Sequence, residues 1–201
     1  NMNDAFSRGF LYLTNKVFNP VAYISVTFPA LINETMSVLY WGVEQLGFDV
    51  YLNSQNTYYS LFVPNNTSLL DYVDPCSYGK TSTQLFRFHY KPTAQTEREK
   101  VWASIWNYDT ETGEVLDSIG EASYEQITNR LEDILNSHIV IGNVENGNVF
   151  YQTKGGSMVK VANASAGVGG MTVQGGYQIE NNRSVKIVGI YDESYEGNGK
   201  T

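Results

Sequence analysis

Apolar residues recur along this chain in two rhythms, and the changes of rhythm outline its elements. In "NETMSVLYWGVEQLG" (33–47) they fall at positions 36, 39, 40, 43 and 46, the spacing of an amphipathic helix packed on a core. Asn33 is its N-cap candidate, Glu34 places an acid in the first turn, and Gly47 stands where a glycine stop belongs. A second stripe, at 127, 131, 134 and 135, runs through "SYEQITNRLEDILNSH" (123–138). Ser123 and Gln126 open that helix as a capping-box pair, and His138 extends its apolar face by one step.

The other rhythm is that of strands. "TYYSLFVP" (57–64) predicts a short buried strand stopped by Pro64. "NNTSLLDYV" then predicts a short helix capped by Asn66 or Thr67 and carrying Leu69, Leu70 and Val73. "LFRFHYK" sets Phe86, Phe88 and Tyr90 against Arg87, His89 and Lys91, and "VWASIWNY" places Trp102, Trp106 and Tyr108 on one face. "DTETGE" is turn-forming, and "VLDSI" returns as the second arm of a hairpin. "IVIGNV" is a continuous apolar run, and residues 149–192 alternate short strands with glycine-rich turns. Near the start, "DAFSRGFLYLTNKVF" suits a helix and "VAYISVTFPAL" an extended segment. The helices and strands are segregated along the chain, which indicates an α+β fold with a mainly antiparallel sheet.

Composition narrows the setting. The 201 residues suffice for one substantial domain, or one domain with a large insertion. Tyr (15) and Gly (18) are abundant beside many Asn, while only 17% of residues are charged, so surface contacts rest on rings and hydrogen bonds. Such usage is common in extracellular β-rich proteins. A net charge of −8, with 13 basic residues scattered along the chain, excludes a nucleic-acid footprint. Cys76, the single cysteine, has no internal disulfide partner and sits in the turn-like "VDPCSYG", where an unreactive thiol is expected. Pro20, Pro29, Asn33, Glu34 and Glu44 break the most apolar stretch, which leaves no run of about 20 apolar residues to span a membrane. The chain begins at Asn1, so an excised or matured piece of a longer protein is expected, its targeting signal removed.

Three stretches together resemble a family. "YSLFVPNNTSLLDY" (59–72) is a strand ending in Phe-x-Pro followed by a polar turn into a helix. "ILNSHIVIGNV" (134–144) is Leu-x-x-His followed by an apolar strand and glycine, and "FYQTKGGSMVKV" (150–161) pairs a T-x-x-G-x-x-apolar turn with the next strand. In this order and spacing they resemble a bacterial-type fasciclin-like domain over about residues 33–201, with 1–32 as an extension or linker from a preceding region. The resemblance implies antiparallel sheets in a wedge or sandwich with a layer of short helices. It makes Phe62, Pro64, Asn66, His138 and Gly142 structural motif positions. Ser137 stands where the family often has Tyr, and Asn65 where Thr is common. Residues 75–122 exceed a minimal domain and resemble an inserted strand and hairpin. "VKIVGIYD" aligns best as the penultimate strand, with "EGNGKT" opening a last strand that is missing from the chain.

Candidate chemistry is sparse. His138 lacks a paired nucleophile, and neither HxH nor HExxH occurs, so a structural tie through a ring N–H to a backbone carbonyl is expected. "GGSMV" around Ser157 is not a nucleophile elbow, and "GVGGMTVQGG" lacks the lysine and βαβ context of a phosphate loop. The carboxylate pairs Glu132–Asp133, Asp192–Glu193 and Asp109/Glu111 do not form a calcium loop. Sequons at Asn33, Asn65, Asn66, Asn163 and Asn182 matter only in a glycosylating host. Trp102, Trp106 and Tyr108 remain as the candidate ligand-binding surface, set against a role in packing the insertion onto the domain.

The resemblance implies a non-enzymatic, secreted or cell-surface module for adhesion or extracellular binding, without a cofactor or metal. Its partner would be an extracellular protein or a surface glycan. Neighbouring domains and anchoring through a removed N-terminal signal, as in an outer-membrane lipoprotein, belong to the same expectation. Two alternatives stand beside it. One is a carrier of a lipophilic small molecule in an apolar pocket between sheet and helices, and the other a hydrolase using His138 with a neighbouring serine.

Overall fold

The computed structural model describes residues 5–6, 9–10, 33–54, 58–77, 82–144, 150–162, 172–180 and 183–186. Near the N-terminus, β1 (Ala5–Phe6) pairs antiparallel with β2 (Gly9–Phe10), so these four residues are extended where a helix is expected across 4–18, the rest of which lies outside the described residues. A glycine inside that stretch costs a helix about 1 kcal/mol relative to alanine, and a two-residue connection suits a hairpin. The rest of 1–32, including "VAYISVTFPAL", lies outside the described residues.

From Asn33 the helix forms as its pattern predicts. The Asn33 side chain accepts the Thr35 N–H at 3.0 Å, and a 3₁₀ turn (Glu34–Met36) leads into α1 (Ser37–Gln45). Gly47 ends it at φ +68°, and the chain re-enters a helix, α2 (Phe48–Leu52), that the apolar pattern does not reveal. β3 (Tyr59–Leu61) is short and only half-buried, less enclosed than its apolar sequence suggests. The helix expected at 66–73 is a single 3₁₀ turn (Ser68–Leu70), after which β4 (Tyr72–Val73) takes Val73 into a strand. The expected cap shifts as well: Asn65 accepts the Ser68 N–H at 2.9 Å, and Thr67 makes no capping bond.

β5 (Thr83–Tyr90), β6 (Val101–Tyr108) and β7 (Val115–Glu121) complete an antiparallel sheet ordered β4-β5-β6-β7. Asp109 closes the β6–β7 turn by accepting the Glu111 and Thr112 N–H groups at 2.8 and 3.2 Å, and Gly113 takes φ +75°. Phe86, Phe88, Val101, Ala103 and Ile105 project from one face of this sheet into the main core, against α1 and α3 (Tyr124–His138). The 75–122 segment therefore supplies one wall of the core instead of hanging from it. α3 opens on the expected capping box, with Ser123 N–H to Gln126 Oε1 at 2.9 Å and Gln126 N–H to Ser123 Oγ at 3.2 Å.

After α3, β8 (Ile139–Ile141) pairs with β3. β9 (Phe150–Gln152), β10 (Met158–Ala162), β11 (Thr172–Glu180) and β12 (Arg183–Lys186) form a second four-stranded antiparallel sheet in the order β12-β11-β10-β9. Val140, Tyr151, Val159 and Val161 make a smaller core beneath it. Helices and antiparallel sheets together give an α+β architecture. The glycine-rich 167–171, the "VKIVGIYD" alignment beyond Lys186, the final strand, Asp192–Glu193, and the sequons at Asn163 and Asn182 fall outside the described residues. Among the described residues no helix is long and apolar enough to cross a membrane.

Candidate functional site

Strand alternation builds the outer face of the hairpin. Val101, Ala103 and Ile105 are buried, so Trp102, Ser104, Trp106 and Tyr108 point away from the core. Trp102 is 39% exposed, whereas Trp106 and Tyr108 are half-buried. The cross-strand register sets His89 opposite Trp102, and the two rings stack with centroids 4.3 Å apart and planes 17° from parallel. Arg87 places its guanidinium 5.0 Å from the Trp106 ring centre, and Trp106 Nε1 donates to Ser104 Oγ at 2.9 Å. Each indole is thus held by a neighbour on its own face while the core is built from the opposite one. Partial burial and the adjacent Arg87 charge lower the His89 pKa from its ordinary value, which favours the neutral ring. Beside Trp102 lies a shallow cleft of about 660 Å³ bordered by Lys91, Arg98, Glu121 and Tyr124, with the Arg98 guanidinium 4.0 Å from the Tyr124 ring centre.

A larger groove, about 830 Å³, opens between α1 and the 91–100 connection. Tyr40, Trp41, Phe88 and Tyr90 supply rings, and Glu34, Glu44 and Glu97 supply carboxylates. Trp41 Nε1 donates to the Glu97 carbonyl at 2.6 Å, fastening the connection to the helix. Asn66 secures the groove's other end. Its Oδ1 accepts the Val38 N–H at 3.1 Å, and its Nδ2 donates to the Glu34 carbonyl and to Ser37 Oγ, each at 3.0 Å. Asn66 therefore caps α1, 28 residues upstream, and not the 3₁₀ turn that follows it.

His138 occupies a joint. Its Nδ1 lies 2.7 Å from the Ile134 carbonyl, which assigns the Nδ1 proton to that bond, and Ser137 Oγ donates to the same carbonyl at 2.9 Å. The Ile139 N–H bonds the Leu135 carbonyl, the Gly155 N–H the Asn136 carbonyl at 2.9 Å, and the Phe62 N–H the His138 carbonyl at 3.0 Å. The Lys154 N–H reaches the Ile139 carbonyl at 2.7 Å. Carbonyls left open at a helix end thus tie α3 to β3 and to the 153–157 turn. Ser137 Oγ is 3.0 Å from His138 Nδ1, but that nitrogen already carries the donated proton and is not a base for the hydroxyl. Burial lowers the His138 pKa, opposed by the bond to Ile134.

The other motif positions complete this joint. Phe62 packs on the smaller core, and Pro64, three residues beyond the last paired residue of β3, borders a cleft of about 340 Å³ shared with His138. Gly142 turns the chain at φ +91°, a conformation that strains other residues, with its N–H on the Tyr58 carbonyl at 3.0 Å. Ser157 is buried, its hydroxyl 2.7 Å from Thr153 Oγ1 inside the turn. Cys76 is buried in the 3₁₀ turn Pro75–Ser77. Among the described residues no group of three His, Cys, Asp or Glu side chains is arranged to hold a metal ion.

One element escapes the sequence reading. Arg130 (2% exposed) and Asp74 (1%) form a buried ion pair, Nη2 to Oδ2 at 2.9 Å, and the guanidinium lies 4.9 Å from the Phe86 ring centre. Asp74 Oδ1 accepts the Cys76 N–H at 3.1 Å, while Arg130 Nε and Nη1 are buried without a partner. Burial first, then Asp74 and Asp133, push the nearby Tyr72 hydroxyl well above its ordinary pKa. The one signal is position: Arg130 adjoins Leu131 and sits three residues after Ile127, inside the apolar stripe of α3. Compared with known proteins, the chain matches no family model, no curated protein and no solved structure.

Proposed function

We propose that this chain is a fasciclin-like, non-enzymatic binding module of a secreted or cell-surface protein, engaging an extracellular protein or a glycan through the outer face of β5 and β6. The observation that carries the proposal is the supported yet open Trp102 ring, stacked on His89 and flanked by the Arg87–Trp106 pair. Rings held in place before binding lose little freedom when a ligand docks, and Trp and Arg are enriched where binding energy concentrates. An exposed indole also suits the apolar face of a sugar ring.

The family reading draws support from the joint at His138. The three motif stretches, the first of them far from the other two in sequence, meet there through the Phe62–His138, Gly155–Asn136 and Lys154–Ile139 backbone bonds. Function argued from fold alone remains an association, so the aromatic face carries the assignment. Probing the folded chain and its Trp102→Ala variant on a glycan and matrix-protein array tests it. Signals that disappear with Trp102→Ala, while the melting temperature is kept, are expected; signals indifferent to Trp102→Ala overturn it.

A further inference from the structure

We propose that the groove between α1 and the 91–100 connection is a second binding site, which takes a Lys or Arg side chain from an extended basic segment of a partner protein. This site does not include the Trp102 ring, although His89 borders both. Its walls are prebuilt, because Trp41 Nε1 pins the connection to the helix at 2.6 Å and Asn66 pins the start of α1. Two half-buried rings, Tyr40 and Tyr90, line the groove, and aromatic rings of this kind attract a cation.

Charge selects among occupants. Three carboxylates, Glu34, Glu44 and Glu97, line the groove against one ammonium, Lys100, which leaves an excess of two negative charges with His89 neutral. Lys100 Nζ is bound to Glu97 Oε1 at 2.6 Å, so only one of the three carboxylates is engaged in an ion pair. Glu34 and Glu44 are exposed and make no ion pair among the described residues. The groove already holds one ammonium: the Glu97 hydrogen bond, opposed by some desolvation and helped by the Glu97 and Glu44 carboxylates, raises the Lys100 pKa. A second cation in the groove would meet the exposed Glu34 and Glu44 carboxylates, of which Glu44 already acts on Lys100. An anionic ligand would be repelled, and a neutral sugar would gain from the rings but not from the charge surplus.

An NMR titration of the full chain with acetylated hexalysine tests this, with hexaglutamate and cellohexaose as comparison probes. Hexalysine should shift the amides of Tyr40, Glu44 and Tyr90, bind more weakly as salt is raised, and leave the Trp102 and Trp106 indoles unmoved. Glu34→Gln and Glu44→Gln should each weaken it about threefold, and together about tenfold, the scale of exposed charge pairs. Circular dichroism checks that these surface variants fold, and Glu44→Gln alone suffices should the double variant not. Trp102→Ala should leave hexalysine binding unchanged, which separates this site from the aromatic face. Absence of hexalysine binding, equal binding by the Glu→Gln variants, shifts confined to the Trp102 face, or cellohexaose filling the groove would each overturn the proposal.

Discussion

The buried side of α3 and the outer face of the β5–β6 hairpin use the same chemistry to opposite ends. Each holds one of the chain's two histidines and an arginine set over an aromatic ring. Inside, Arg130 lies 4.9 Å from the Phe86 ring centre and His138 is bound to a helix carbonyl. Outside, Arg87 lies 5.0 Å from the Trp106 ring centre and His89 is stacked on Trp102. Phe86 and Arg87 are consecutive, so one step along β5 separates the two settings. The difference lies in setting: the inner groups are tied to a helix carbonyl and a buried carboxylate, with two Arg130 nitrogens left without a partner, whereas the outer ones support rings that still meet solvent. His138 is in this way a fastener, and His89, on a strand, supports an exposed ring.

The sharpest way to break the comparison is to strip a partner from the inner side. Asp74→Ala leaves Arg130 buried and unpaired, and should cost about 3–5 kcal/mol in urea unfolding. Arg130→Met with Asp74→Leu should restore much of that loss, since apolar replacement of a buried pair is often neutral. A smaller effect is expected at the joint. His138→Ala removes the ring's bond to the Ile134 carbonyl and its packing at the joint, and should cost about 1–3 kcal/mol in the same experiment, while His89→Ala costs about 1 kcal/mol or less.

Acid offers a gentler probe. Both histidines have folded pKa values below their ordinary 6.5, so the unfolded chain binds protons first as pH falls. Their contribution is intact above pH 6.5 and declines as pH drops through 6.5 toward the depressed folded values. The melting temperature should therefore fall with acidification over that window, and His138→Ala should flatten the dependence. A melting temperature that rises on acidification would contradict the neutral assignment of His138.

What the sequence revealed follows from how local each signal is. The capping box at Ser123 and Gln126 spans three residues, and the alternation in β5 and β6 depends only on neighbours, so both are legible and both form. The Arg130–Asp74 pair joins positions 56 apart, and an arginine beside a leucine in a helix looks like a solvated group until the fold closes over it. Asn66 misleads for a similar reason: its side chain suits a local cap, but the N-terminus of α1, brought close in space, takes it instead. The groove is assembled from residues 33–44, 66–70 and 88–100, no one of which marks a site alone. The Trp102, Trp106 and Tyr108 face was legible as a pattern, whereas its support by His89 and Arg87 required the strand register.

The smallest expected change in stability comes from the residue expected to matter most for binding. Trp102→Ala removes a half-open ring and its stack on His89, and should cost about 1 kcal/mol or less. Array binding of the folded wild type beside this variant is accordingly the most direct test of the central claim. The account predicts that glycan or matrix-protein signals of the wild type vanish with Trp102→Ala while thermal unfolding is nearly unchanged. Signals that survive in Trp102→Ala but are lost in a His138→Ala variant that is still folded at the assay temperature would contradict it, and would move the binding site to the joint.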